Sequence, residues 1–103
     1  MLAVRMYLRN KKGRNKFRLT NPNISRNSVI HISVSEATAL SEPAFTPIFS
    51  RFVGSANFTV SNVSPNDGFV DFVVTIDWPQ PLNVVTDISI FDPVPMEHTI
   101  IGT

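Results

Sequence analysis

Few side chains in this 103-residue sequence could do chemistry, and they are scattered. Cysteine is absent, which removes thiolate nucleophiles, sulfur-bound metals and any disulfide framework. His31 and His98 stand far apart with no carboxylate pair beside either, whereas a metal centre needs several converging ligands. On a strand surface such a histidine is more commonly packed or solvated. Asp71 and Asp77 share one side of an alternating segment. At roughly 3.3 Å per residue they would lie about 20 Å apart, too far for an acid–base dyad. No Gly-x-Ser-x-Gly elbow, phosphate-cradling glycine loop or calcium-loop pattern occurs. The expectation is a protein that is not an enzyme and uses no metal or cofactor.

Asn23, Asn57 and Asn62 each open an Asn-x-Ser/Thr sequon, but in a chain rich in asparagine, serine and threonine such triplets also arise by chance. Residues 1–9 carry Arg5 and Arg9 where a secretory signal would be apolar, so the sequons read as turn and strand residues. No apolar run approaches the roughly 20 residues of a membrane-spanning helix, so no membrane insertion is expected. Tyr7 and Trp78 could form a stacking platform for a sugar. The alternation around Trp78 places it inward, however, which favours packing.

The net charge of +1 conceals two opposed halves. Arg5, Arg9, Lys11, Lys12, Arg14, Lys16, Arg18 and Arg26 populate residues 1–26 without an acid, and Asp67, Asp71, Asp77, Asp87, Asp92 and Glu97 populate residues 52–103 without a lysine or arginine. Such asymmetry points to attraction between copies, to the same attraction closing the sandwich within one chain, or to nucleic acid, against the ordinary reading of solvated faces.

The elements that carry these charges are strands. Leu2, Val4, Met6 and Leu8 alternate with polar or small neighbours, Asn10-Lys11-Lys12-Gly13 reads as a turn, and Phe17 and Leu19 resume the alternation. This predicts a basic N-terminal hairpin or arm over residues 1–20. Residues 20–27 are a loop by their turn chemistry, and Ile30, Ile32 and Val34 form the apolar side of another strand. Residues 36–50 form a long connection whose Phe45, Ile48 and Phe49 should cover an open end or edge of a sheet.

Farther on, Ala56, Phe58 and Val60 precede a loop, after which Val70, Phe72, Val74, Ile76 and Trp78 alternate with Phe69, Asp71, Val73, Thr75 and Asp77. A three-residue loop, Asn66-Asp67-Gly68, brings Val60 opposite Val74 and Phe58 opposite Ile76, with Gly68 left-handed. Across Pro79-Gln80-Pro81 the same strand would pair with residues 82–90, giving a three-stranded meander. Its outward side would place Asp71 opposite Val63 and Ser89, and Asp87 opposite Val73.

The fold class follows: an all-β chain forming a compact antiparallel β-sandwich of six to seven strands, jelly-roll or immunoglobulin-like, as a single domain over residues 1–103 with a C-terminal tail over residues 93–103. The leading functional expectation is a structural subunit that self-assembles as a homo-oligomer by head-to-tail contacts, as virion components and surface appendages do. One interface would be the basic set Arg5, Arg9, Lys11, Lys12, Arg14, Lys16 and Arg18. The other would be the acidic and apolar set Asp71, Val73, Asp77, Val85, Asp87 and Phe91. Ile100 and Ile101 in the tail could pair with an edge of their own sheet or of a neighbouring copy. The alternatives are a nucleic-acid-binding module that uses the basic segment and a ligand- or carbohydrate-binding β-domain. Cellular location is left open.

Overall fold

A computed structural model describes residues 1–41, 48–91 and 96–102 of the chain. Seven strands occur among them: β1 (Leu2–Lys11), β2 (Gly13–Thr20), β3 (Val29–Ala37), β4 (Arg51–Phe52), β5 (Asn57–Asn66), β6 (Phe69–Asp77) and β7 (Leu82–Phe91). They form two antiparallel sheets packed together, one in the order β1-β7-β3-β4 and the other in the order β2-β6-β5. The all-β sandwich expected from the alternation is the observed architecture.

Its construction differs from the expected hairpin and meander. β1 and β2 do not pair with each other: β1 pairs with β7, from Leu2 opposite Ile90 to Leu8 opposite Val84. β2 pairs with β6, from Gly13 opposite Ile76 to Thr20 opposite Phe69. Residues 2–20 and 69–91 are thus two long antiparallel segments, paired along their length and folded together at a common corner. Asn10 and Gly13 take positive φ values of 54° and 68° on one segment, while Pro79 and Pro81 interrupt the other. Both features end a regular ladder, so the paired segments turn from one sheet into the next. The alternation of residues 69–90 identified two strands correctly, but it does not distinguish a hairpin within one sheet from a crossover between sheets.

The β5–β6 hairpin keeps the expected register by another device. Phe58 lies opposite Ile76 and Val60 opposite Val74, as the side-chain pattern required. The turn, however, has two residues, Asp67-Gly68, with Asn66 already paired to Phe69. The missing residue is absorbed by a bulge between Ser61 and Ser64, where Asn62 takes φ 54°. Gly68 is left-handed as expected, at φ 90°.

Burial explains why β6 and β7 are central. Their inward rows, Val70, Phe72, Val74 and Ile76 and then Val84, Ile88 and Ile90, are buried, and Leu8 and Ile24 join them. Val4, Met6, Phe17, Leu19, Ile30, Ile32, Val34, Phe58 and Leu82 pack around this cluster half-buried. Phe17 and Phe72 meet with ring centroids 5.9 Å apart. The loop over residues 21–28 closes one end by driving Ile24 into the core. The Gly68 amide donates to the Ile24 carbonyl at 2.8 Å, and the Arg26 amide donates to Asp67 at 3.0 Å. Trp78, expected inward, instead lies at the corner and is 39% exposed, because the strand alternation ends at Asp77.

One polar group stands among these apolar side chains. Thr86, in the middle of β7, is fully buried, and its hydroxyl has no hydrogen-bond partner among the described residues. An unmade buried hydrogen bond costs about 1–3 kcal/mol. Thr86→Val should therefore leave stability unchanged or raise it by about 1 kcal/mol in urea unfolding, whereas Phe72→Ala should cost about 3–5 kcal/mol. A large loss in Thr86→Val would show that the hydroxyl is satisfied.

Candidate interaction surfaces

The register fixes where the charges meet. Arg5 on β1 lies directly opposite Asp87 on β7, and Arg18 on β2 lies directly opposite Asp71 on β6. Each arginine holds its partner with two bonds. Arg5 donates to Asp87 from Nε at 2.6 Å and from Nη2 at 3.0 Å. Arg18 donates to Asp71 from Nε at 2.7 Å and from Nη2 at 3.0 Å. Arg51 adds a bond to Asp87 at 2.7 Å, and Lys16 lies 3.9 Å from Asp71. Arg18 also stacks on Phe69, its guanidinium carbon 3.9 Å from the ring centroid. Asp71 and Asp87 therefore occupy the outer faces of different sheets, rather than the single meander face expected for them. Asp71 lies opposite Ser64 and Arg18, and Asp87 opposite Ser33 and Arg5, because β6 and β7 belong to separate sheets.

The apolar members of the expected acidic surface are not open either. Val73 and Val85 point to the outer faces, yet they are 4% and 1% exposed. Val73 lies between Lys16 and Ser61, and Val85 lies between Tyr7 and Ser35. Over the outer face of the β1-β7-β3-β4 sheet, Tyr7 donates to the Thr38 carbonyl and stacks near Phe49, with centroids 5.4 Å apart. The long connection thus packs across a sheet face; its Phe45 falls outside the described residues. Phe91 rests against His31 at 5.2 Å, and Asp77 is exposed near the corner. Among the described residues no three metal-ligating side chains converge.

What remains of the basic set gathers at the bend between β1 and β2. Among the described residues Arg9, Lys11, Lys12 and Arg14 have no carboxylate within ion-pair distance. Lys12 Nζ lies 3.5 Å from the Pro79 carbonyl, the residue after the exposed Trp78, and the Arg9 guanidinium carbon lies 5.9 Å from the Tyr7 ring centroid. Sequence reasoning did not foresee the approach of Lys12 to the Trp78-Pro79 corner, since it required knowing that the two segments share a bend. In the tail, Ile100 and Ile101 are 97% and 92% exposed.

The chain matches no protein-family model, and no curated protein or solved structure matches it.

The arginine pairs give the fold an acid sensitivity of definite sign. Hydrogen bonds from Arg18 hold the Asp71 carboxyl below the usual carboxylate range, and hydrogen bonds from Arg5, then Arg51, do the same for Asp87. A depressed folded-state value adds stability above the unfolded value of about 4, and that stability is lost as pH falls through the folded value. The melting temperature should therefore hold steady from neutral pH to about 5 and fall below about 4. Asp71→Asn with Asp87→Asn should lower it at neutral pH and flatten the acid decline. Calorimetry across pH is the check, and an unchanged acid slope in the double variant would count against this account.

Proposed function

We propose that the protein is a non-enzymatic structural subunit that assembles with further copies of itself, as parts of virions or surface appendages do. The observation that carries this reading is the combination of open sheet edges with an exposed aliphatic tail. Among the described residues β1 and β2 are each paired on one side only, as are β5 and most of β3. Ile100 and Ile101 are almost fully exposed. Unpaired strand edges are templates for another strand, and adjacent exposed isoleucines favour burial. The shape supports it as well: the radius of gyration is 15.5 Å, where a compact chain of about this length has about 13 Å.

Charge contributes differently from the head-to-tail expectation. With Asp71 and Asp87 engaged by arginines of the same chain, opposite charge has an intramolecular use, and edges offer the better contact between copies. Light scattering on the purified chain should give a mass above the monomer that rises with concentration and survives high salt, because backbone pairing and apolar burial are weakly screened. A monomer at every concentration and ionic strength would overturn the proposal.

A second reading is favoured by the bend. Arg9, Lys11, Lys12 and Arg14 are without carboxylate partners among the described residues, Arg9 lies over Tyr7 and Lys12 reaches the carbonyl that follows the exposed Trp78; cations and exposed aromatics in one region are the combination that binds single-stranded nucleic acid through phosphate contact and base stacking. Those cations suit a polyanion better than a neutral sugar. In that case a single-stranded oligonucleotide would bind with affinity falling steeply in salt, and Lys11→Glu, Lys12→Glu and Arg14→Glu together would abolish the shift. Binding that survived those reversals would exclude the bend as the site.

A further inference from the structure

We infer that residues 96–102 of one molecule add as a strand to the open edge of β3, residues 29–35, in a second copy. The inference rests on the self-assembly reading and names the two surfaces that would carry it.

The acceptor is identified by comparing the sheet edges. Long edge strands are normally guarded by charge, proline or a bulge. β1 carries Arg5, Arg9 and Lys11, and β2 carries Arg14, Lys16 and Arg18. β5 contains Pro65 and the bulge at Asn62. Residues 29–35 of β3 have none of these devices. They contain no lysine, arginine, acid or proline, and they pair with β7 in unbroken register from Val29 opposite Phe91 to Ser35 opposite Val85. On the other side, among the described residues, β4 alone pairs with this strand, at Glu36 and Ala37. The inner row of this strand, Ile30, Ile32 and Val34, is half-buried, and Val29 at its start is 39% exposed. An apolar, regular and unguarded edge is the one that a further strand would complete.

The donor has matching properties. Among the described residues the segment 96–102 joins no strand of its own chain, and it is as long as the unguarded edge. Thr99, Ile100 and Ile101 are β-branched and fit a pleated surface. In a strand Ile100 and Ile101 would point to opposite faces. One would extend the inner row of Ile30, Ile32 and Val34, and the other would lie beside Val29 and His31. A single contact thus accounts for the exposed pair and the open edge together. Each copy has one donor and one acceptor, so the contact either closes by reciprocal exchange in a dimer or repeats head to tail into a ring or a filament.

The absence of cysteine makes the test direct. Full-length Ser33→Cys protein is mixed with full-length Ile101→Cys protein under mild oxidation. A disulfide-linked heterodimer is expected, while Thr59→Cys on the β5 edge strand should give little with Ile101→Cys. In parallel, light scattering compares the wild-type chain with an Ile100→Asp, Ile101→Asp variant, whose self-association should be weaker by roughly a hundredfold or more. If the wild-type chain is monomeric throughout, both the assembly reading and this inference fail. If it assembles but the aspartate variant assembles equally well, or if Ser33→Cys links mainly to itself, this inference alone fails and another edge joins the copies.

Discussion

Residues 2–20 and 69–91 can pair along their whole length only if both leave regular strand geometry at the same place. The residues of the corner meet that demand: Asn10 and Gly13 in positive φ lie on one segment, and Pro79 and Pro81 lie on the other. Both sheets follow from this constraint. Once the paired segments fold, their two halves lie in different layers with their apolar rows inward, and β3 and β5 complete each layer on the remaining side of β7 and β6. The arginine–aspartate pairs then fall on opposite outer faces, one per layer, because Arg5 and Arg18 lie on either side of the bend. Cross-strand ion pairs of this kind are individually modest, but a one-residue slip would break both at once while turning every inward side chain out. They therefore reinforce the register that the apolar rows already require.

This explains both what could be read from the sequence and what could not. Strand identity was legible because alternation is a local property: Val70 to Ile76 and Phe58 to Val60 announce their inward faces without reference to the rest of the chain. Even the pairing of Phe58 with Ile76 could be deduced, since only one register keeps both rows apolar. Partner choice between distant strands is not local. The run from Val70 to Ile90 is equally consistent with a hairpin at Pro79-Gln80-Pro81 and with a crossover there, and the deciding fact is that residues 2–20 bend at the matching point. Trp78 was misplaced for the same reason, because its inward position presumed that the strand continued through the corner.

The charge asymmetry was legible as a fact, but its use was not. Nothing in composition separates acids that answer cations in the same chain from acids that answer a neighbour. Geometry separates them here by pairing Asp71 and Asp87 with Arg18 and Arg5. Val73 and Val85, which made the outward face look unusually apolar, are buried, so they do not advertise an interface. Outward-pointing and exposed are different properties on a central strand.

The cations left at the bend follow from the same folding. A ladder offers each cation a residue directly across from it, but Lys11 lies opposite Leu82 and Arg14 opposite Thr75, and the corner between those pairs holds Trp78, Pro79, Gln80 and Pro81, none of them acidic. Charge therefore collects at the corner and on the positions beside it. If copies of the protein associate, these bends repel one another and the arginine- and lysine-bearing edges resist stacking, which leaves uncharged edges as the surfaces of least repulsion. The internal pairing that engages Asp71 and Asp87 and the guarded edges that refuse partners then act in one direction, narrowing the contacts between copies toward β3.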